Sequence, residues 1–224
     1  MIQGIIFDFD GVLFDSSVLH FEVMRNLLAE HEVDLTYENY KTKYFGVNDL
    51  VLFQKLLPPS VSDPQVIREL LRRKIKLYLE KTRHDLSFPG IPGVKNFLEK
   101  IANHISARAI FSNGSDLEVN QALNKLEQGT LRSYFQFVTT IDDVKYGKPN
   151  PEGYLLSAKK LKLEPESCLV IEDSLEGIRA AKSAGMTVIG LATTYSTEIL
   201  KPHVDFAAKD YEAAWDFVSR ELVS

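Results

Sequence analysis

Short apolar segments alternate with amphipathic segments along the second part of the chain. The apolar segments, such as CLVIE, are rich in β-branched and aromatic residues, which predicts strands. The amphipathic segments predict helices, with Ser115 and Ser174 as N-caps and Gly185 as a helix stop. This alternation is typical of a parallel sheet covered by helices. The predicted strands are 107–111, 135–140, 168–172, 187–192 and, with the weakest pattern, 205–208, and the predicted helices are about 93–103, 115–126, 151–161, 174–184 and 210–222.

Residues 16 to 85 interrupt the alternation because they carry helical patterns and no convincing strand. Between 63 and 83, apolar residues such as Ile67 fall on one helical stripe, while the basic cluster 72–76 predicts a solvated helix face. The FPGIPG segment at 88–93 has the prolines and glycines of a linker. We therefore predict a small helical domain inserted after the first strand. The predicted domains are 16–88 for the insertion and 1–15 with 89–224 for the core.

The composition is that of an ordinary globular protein, with 45% apolar residues in a chain of 224. A net charge of −5 and the absence of a long basic run argue against a nucleic-acid or anionic-membrane surface. No signal peptide or membrane span is visible in the sequence, and we expect a cytoplasmic monomer or weak homodimer. The single cysteine, Cys168, cannot form an internal disulfide and is interpreted as a small core residue.

Two aspartates lie at the end of the first apolar run, IIFDFDGVLFDS (5–16), where a buried carboxylate is costly unless something pairs with it. Polar residues also follow three later strands, and ligands gather beyond the carboxyl ends of parallel strands. Carboxylate oxygens suit Mg²⁺, while a lysine and a hydroxyl suit a phosphoryl group. Together they describe a metal-assisted phosphoryl-transfer site. The residues concerned are Asp8 and Asp10, then Ser112 and Asn113, then Lys148, and finally Glu172 and Asp173.

In this order and spacing, the four segments resemble the motifs of the haloacid dehalogenase superfamily. The resemblance is closest to its phosphatases and β-phosphoglucomutase-like members, which carry an inserted helical cap. It implies an α/β fold with a Rossmann-like parallel-sheet core and an α-helical cap. It also implies a Mg²⁺-dependent phosphatase that hydrolyses a small phosphorylated metabolite through an aspartyl-phosphate. A sugar-phosphate mutase and a non-catalytic phosphate-binding or regulatory module are the alternatives.

The resemblance also implies roles for the acidic residues. Asp8 would be the nucleophile, and Asp10 the general acid and then the base that activates water. Asp8, the backbone carbonyl of Asp10 and Asp173 would hold Mg²⁺, with Glu172 assisting directly or through water. The position of His20 in the family is near the hinge, where it would either steady Asp10 or serve as a packing or surface residue.

Phosphate recognition is implied for residues that would look ordinary alone. Lys148 would offset the negative charge of the nucleophile and the phosphoryl oxygens, and Ser112 with the backbone N–H of Asn113 would bind phosphate. In isolation they would be a solvated loop lysine and a turn, so their order and spacing carry the functional weight. Asp15 remains open, because with Ser16 it fits either a cap of the first cap helix or the site.

Substrate choice is expected to lie in the cap, where loop 44–49 is predicted to face the core. β-Phosphoglucomutases typically follow the shared Gly-Val with Ser-Arg, whose arginine grips a second phosphate, whereas this chain has Asn48-Asp49. They also tend to carry a lysine just after the second motif, where this chain has Ser115-Asp116. Both departures favour the phosphatase over the mutase. The candidate substrate-binding residues of the cap are His20, Phe45, Gly46, Val47 and Asn48.

Overall fold

A six-stranded parallel sheet forms the centre of the computed structural model, which describes residues 1–83, 88 and 90–222. The strands are β1 (Gly4–Phe7), β2 (Ala107–Phe111), β3 (Phe137–Thr139), β4 (Cys168–Glu172), β5 (Thr187–Leu191) and β6 (Phe206–Ala208). Their order in the sheet is β3-β2-β1-β4-β5-β6. Ile6 of the central strand pairs with Ala109 of β2 and Val170 of β4. The predicted α/β class is confirmed, and β1 lies between two neighbours whose ends also carry predicted site residues.

Helices cover both faces of this sheet, and a separate group lies between β1 and β2 in the chain. The α-helices are α1 (Ser17–Ala29), α2 (Tyr37–Asn39), α3 (Asp49–Leu56), α4 (Pro64–Arg83), α5 (Val94–Ala102), α6 (Asp116–Leu123), α7 (Glu152–Leu161), α8 (Leu175–Ser183), α9 (Thr197–Leu200) and α10 (Tyr211–Glu221). A π-helix spans Tyr40–Tyr44, and 3₁₀ segments span Pro59–Val61, Leu126–Tyr134, Ile141–Asp143 and Pro165–Ser167. None of the helices among the described residues combines the length and apolar character needed to cross a membrane.

The alternation of side chains along the strands builds two cores, one on each face of the sheet. Ile5 and Phe7 point to the face covered by α5, α6 and α10, where Phe7 makes an edge-to-face contact with Phe97 at 6.2 Å between ring centroids. Ile6 points to the opposite face, covered by α7 and α8, which also contains the buried Cys168. Because both faces are covered, the central strands are almost wholly apolar.

Helices α1, α3 and α4 pack around a third core of their own, and we call residues 17–83 the helical unit. Val23 of α1, Phe53 of α3 and Ile67 of α4 are buried in it. The predicted solvated face at 72–76 was wrong for Lys74, which is 1% exposed and lies on the side of α4 that faces the sheet helices. The predicted insert end at 84–87 and Pro89 of the predicted linker lie outside the described residues.

The helix ends follow the predicted local chemistry. The Ser115 hydroxyl accepts a hydrogen bond from the Glu118 N–H in a capping box, and the Ser174 hydroxyl accepts one from the Gly177 N–H. Gly185, with a φ of 80°, follows α8 in the left-handed conformation that ends many helices. The predicted helix 115–126 was too long, because α6 ends at Leu123.

Truncation of the α5 anchor should measure how much this face of the sheet contributes to stability. Phe97→Ala should lower the free energy of unfolding by about 3–5 kcal/mol, because a large ring packed against Phe7 and Tyr211 is replaced by a cavity. The measurement is urea unfolding followed by circular dichroism. Asn96→Ala, an exposed neighbour on the same helix, is the control and should change this free energy by about 0.5 kcal/mol or less. Equal losses in the two variants would contradict the packing described.

Candidate active site

Three carboxylates converge at the carboxyl edge of the two central strands. Asp8 directly follows β1, while Glu172 ends β4 and Asp173 follows it. Because β1 and β4 are parallel neighbours, these positions meet, and one oxygen of each carboxylate lies within 4.8 Å of the others. All three residues are buried, and we call them the acidic cluster. Burial, and then the charge of Glu172, raise the pKa of Asp8 well above its usual value.

Lys148 supplies the positive charge that partly compensates the acidic cluster. Its Nζ donates hydrogen bonds to Asp8 and to Glu172, the latter at 2.6 Å, and its side chain is 2% exposed. Burial alone lowers the pKa of Lys148, but the charges of Asp8 and Glu172 outweigh it and raise this pKa above its usual value. Asn113 holds the backbone in place, because its Oδ1 accepts a hydrogen bond from the Lys148 N–H at 2.9 Å.

The carboxylate of Glu172 is fully used by protein donors. Its Oε1 accepts from Lys148 Nζ at 2.6 Å and from the Tyr154 hydroxyl at 2.8 Å. Its Oε2 accepts from the Asp173 N–H, the Ser174 N–H and the Ser174 hydroxyl, each at 3.0 Å. A carboxylate offers about four lone-pair sites, so these five donors saturate it. Glu172 therefore fixes the lysine and the loop that follows β4.

Asp173 has an oxygen with a different character. Its Oδ2 accepts hydrogen bonds from the hydroxyls of Thr194 and, at 3.4 Å, Thr193. Its Oδ1 is buried and accepts no hydrogen bond from any residue that the structure describes. Gly11 leaves room for this carboxylate, since a Cβ there would lie 1.9 Å from Oδ2. A buried carboxylate oxygen without a donor, in a cluster of excess negative charge, fits a hard divalent cation such as Mg²⁺.

Asp10 occupies a separate environment from Asp8. Its Oδ1 accepts a hydrogen bond from the Ser16 hydroxyl and lies 3.5 Å from His20 Nε2. Its Oδ2 accepts from the Ser112 hydroxyl at 3.4 Å. Burial raises the pKa of Asp10, but the hydrogen bond and charge of His20, with the Ser16 hydroxyl, outweigh it and lower this pKa below its usual value. The two aspartates are thus shifted in opposite directions, as groups with different tasks would be.

The start of α1 bears on the two roles left open for Asp15 and Ser16. Ser16 does not cap the helix with its side chain, because its hydroxyl donates to Asp10 instead. The carboxylate of Asp15 accepts from the Ser17 N–H at 3.2 Å and from the Ser17 hydroxyl at 2.7 Å, so it satisfies the first turn. Asp15 therefore has the local capping role, and Ser16 belongs to the surroundings of Asp10.

Loop 44–49 lies against the sheet edge. The Asn113 side chain donates to the Gly46 carbonyl at 3.2 Å, and a Cβ on Gly46 would lie 2.8 Å from Ser174. Phe45, Gly46 and Val47 line a small cavity of about 50 Å³ together with Asp10 and His20.

Asn48 is placed differently from its predicted companions. Its Oδ1 accepts from the Leu50 N–H at 3.0 Å and caps α3, and the residue lines a larger neighbouring cleft. Ser112 is engaged locally as well, because its hydroxyl accepts from the Gly114 N–H at 2.9 Å. Of the predicted cap residues, the small cavity therefore brings together His20, Phe45, Gly46 and Val47.

A comparison with protein families assigns this chain to a known group. The family model described as haloacid dehalogenase-like hydrolase matches residues 5–191, which include the acidic cluster, Asp10 and Lys148. The chain belongs to this family. The resemblance inferred from the four motifs is thereby confirmed.

Similar proteins include haloacid dehalogenase-like phosphatases. The chain is 33% identical over 186 residues to a phosphorylated carbohydrates phosphatase of Thermotoga maritima, which covers 83% of this chain and 82% of that protein. It is 29% identical over 192 residues to hexitol phosphatase B of Escherichia coli, with coverage of 84% and 82%. The structure is similar to that of a β-phosphoglucomutase from Clostridium difficile, with a TM-score of 0.86 at 23% identity and coverage of 100% and 98%. At that identity the likeness shows the fold alone, whereas the family and the phosphatase relatives confirm the predicted enzyme class, a hydrolase of phosphate esters.

Several neighbours of this haloacid dehalogenase-like site were missed in the sequence. Thr193 and Thr194 follow β5, so the rule that polar residues gather beyond strand ends would have found them. Tyr154 follows Lys148 in GKPNPEGY, but only the fold shows that its hydroxyl reaches Glu172. Lys74 lies on the stripe of Ile67, Leu70 and Tyr78 on α4, but its charge led to its assignment to the basic surface.

Metal binding should be visible as stabilisation without any substrate. Mg²⁺ in about hundredfold excess over its Kd should raise the melting temperature by roughly 5–10 °C, because it binds the folded carboxylates and offsets their charge. Asp173→Asn should lose most of this increase, since it replaces one oxygen of the buried carboxylate. The measurement is thermal unfolding by circular dichroism, in EDTA and in Mg²⁺.

Asp216→Asn, an exposed acid on α10, is the matched control and should keep the full increase. An equal Mg²⁺ shift in Asp173→Asn and wild type would place the metal elsewhere.

Proposed function

We propose that this protein is a Mg²⁺-dependent phosphatase that hydrolyses a small phosphorylated metabolite through an aspartyl-phosphate on Asp8. The observation that carries the proposal is the position of Asp8, which contacts Lys148 and lies within reach of Asp173, while Asp10 is held separately by His20. A nucleophile, a charge partner and a proton carrier are the parts that phosphoryl transfer needs. The phosphatase relatives support a carbohydrate or polyol phosphate as the substrate.

Asp8 attacks phosphorus in the first step, and Lys148 holds its carboxylate in position. The side chains of Asp8 and Asp173 and the backbone carbonyl of Asp10 would hold Mg²⁺. When bound, Mg²⁺ supplies positive charge that offsets the acidic cluster and the phosphoryl oxygens. Glu172 acts through its hydrogen bonds to Lys148 and to the loop after β4, because its oxygens are saturated by protein donors.

Asp10 carries the proton in both steps. In the first step it donates to the leaving oxygen, and a substrate phosphate beside it favours the protonated form that this requires. In the second step it removes a proton from the water that attacks the aspartyl-phosphate. The low pKa that His20 and Ser16 give Asp10 favours the ionised form needed after the leaving group has departed. His20 therefore acts as a positioning residue for Asp10.

The phosphoryl group binds between Lys148 and the turn that follows β2. The Ser112 hydroxyl lies on the Asp10 side of this turn, and Asn113 connects the turn to Lys148 and to Gly46. The backbone N–H of Asn113 and the hydroxyl of Ser112 then donate to phosphoryl oxygens. Phe45 and Val47 face the leaving group from the helical unit.

The helical unit closes over the site and opens to admit substrate. The small cavity has a volume of about 50 Å³, far below the roughly 300–1,000 Å³ of typical ligand pockets. It is therefore too small to hold a sugar phosphate. Opening must therefore precede binding, and closure then excludes water from the reaction. The two chain segments that connect the cap to the core lie side by side. The Ile91 N–H of one donates a hydrogen bond to the Leu13 carbonyl of the other at 3.0 Å. We propose the cap as 16–88 and the core as 1–15 with 89–224.

The two alternatives receive less support. A mutase must grip a second phosphate, yet Asp49 stands where the mutases have arginine, and Lys74 beside it is already paired with acids. A non-catalytic module would not need the opposed environments of Asp8 and Asp10. We further propose a cytoplasmic monomer or weak homodimer with no nucleic-acid or membrane partner. The net charge of −5 supports the last part, because it disfavours binding to nucleic acid or an anionic membrane.

The test is a panel of phosphorylated sugars, polyols, nucleotides and small acids, assayed for phosphate release with Mg²⁺ and with chelator. At least one substrate should release phosphate only with Mg²⁺, and Asp8→Asn should lower its turnover by roughly a thousandfold or more, because the attacking group is lost. Hexose phosphates in the panel should yield phosphate without isomerised hexose phosphate.

Asp15→Asn is the matched control, since Asp15 faces the helix start rather than the acidic cluster, and it should retain most of the turnover. Near-normal turnover in a folded Asp8→Asn protein would contradict the nucleophile. Isomerisation of glucose 1-phosphate that outpaces phosphate release would favour the mutase instead.

A further inference from the structure

A buried ionic triad joins the helical unit to the helices of the sheet. Lys74 Nζ on α4 lies 2.7 Å from Asp49 Oδ2 at the start of α3 and 2.7 Å from Glu118 Oε1 on α6. The side chains of Lys74 and Glu118 are 1% and 3% exposed, and that of Asp49 is 26% exposed. The triad therefore spans the interface between the helical unit and α6, which forms when the proposed cap closes.

The contacts around the triad hold it in one arrangement. The other oxygen of Glu118 accepts from the Ser115 N–H at 3.2 Å and from the Ser115 hydroxyl at 2.7 Å. The Lys74 ammonium also lies 5.7 Å from the centre of the Tyr78 ring. Buried charges cost free energy unless they are paired and hydrogen-bonded, and this group meets both conditions. A fully ionised triad still carries one net negative charge, since two carboxylates surround one ammonium.

The triad lies next to the site where the leaving group departs. Lys74 and Asp49 line the small cavity beside Asp10 and His20. Asp49 and Glu118 also line the neighbouring cleft of about 500 Å³, which leads from this region toward the solvent. Among the described residues around the small cavity, Lys74 is the only lysine or arginine. Among the described residues that line the small cavity, the one lysine is therefore neutralised by the protein itself, and His20 faces Asp10.

We propose that Asp49 and Glu118 are specificity-determining residues, which restrict the enzyme to phosphate monoesters whose leaving group carries no second phosphate. This inference rests on the proposed phosphatase function and names its substrate class. A second phosphate would be repelled by the net negative charge of the triad. It could pair with the Lys74 ammonium only if Lys74 gave up its ion pair with Asp49 or Glu118. An uncharged sugar or polyol meets no such penalty.

The experiment compares inhibition of p-nitrophenyl phosphate hydrolysis by glucose 6-phosphate and by glucose 1,6-bisphosphate. In the wild type, the bisphosphate should inhibit no better than the monophosphate. Asp49→Asn and Glu118→Gln each remove one negative charge, so each should shift the ratio of the two Ki values toward the bisphosphate by about fivefold or more. A general loosening of the fold would weaken both inhibitors and leave this ratio unchanged.

Glu30→Gln is the matched control, because it breaks an exposed ion pair between α1 and Arg73, the neighbour of Lys74, and it should leave the ratio unchanged. If Glu118→Gln does not fold, Asp49→Asn decides alone. An unchanged ratio in a folded, active Asp49→Asn protein would overturn the inference while leaving the phosphatase intact. Failure of the wild type to hydrolyse p-nitrophenyl phosphate or any panel substrate would overturn the proposed function, and the inference with it.

Discussion

The contact of Lys148 with Asp8 and Glu172 is the interaction on which the rest of the site depends. Three buried carboxylates at one sheet edge would repel one another and favour their neutral forms. The ammonium of Lys148 offsets part of this charge, and its hydrogen bond to Glu172, which Tyr154 also contacts, holds it beside Asp8. A divalent cation would satisfy the remaining excess of negative charge and the Oδ1 of Asp173, which has no hydrogen-bond donor among the described residues. The same charged groups therefore determine both the stability of this sheet edge and the chemistry proposed for it.

The same principle recurs where the helical unit meets the sheet helices. Asp49, Lys74 and Glu118 pair across this boundary, and loop 44–49 contacts Asn113 and Ser174 beside it. Closure of the proposed cap therefore brings charged groups into a buried setting where each has a partner. The reacting phosphate would bind on the Lys148 side, and the leaving group on the triad side. In the proposed mechanism, Lys148 would thus mark the half of the site that binds the phosphoryl group, and Lys74 the half that binds the leaving group.

The fold and the acidic cluster were predictable because their signals are local and periodic. Apolar runs and turn residues mark the strands, and Asp8, Lys148 and Asp173 follow from the rule that sites form beyond parallel strand ends. The apolar stripe of α4 includes the position of Lys74, but its charged partner was not predictable, because Glu118 lies 44 residues away. The role of Ser16 was left open for a related reason, since its hydroxyl makes a tertiary contact with Asp10 and does not cap the helix. A local pattern can show which face of a helix is buried, but it does not show which distant residue pairs with a polar group there.

The central claim, covalent transfer of the phosphoryl group to Asp8, is tested most directly by trapping it. Asp10→Asn should lack the base that activates water, so the phosphoenzyme should accumulate when this variant is mixed with a good substrate and Mg²⁺. Acid quenching, digestion and mass spectrometry then locate the phosphoryl group. The account predicts one phosphoryl group on Asp8 in the peptide that begins the chain, and none when chelator replaces Mg²⁺. A phosphoryl group on another residue, or unimpaired turnover without any phosphoenzyme, would contradict it.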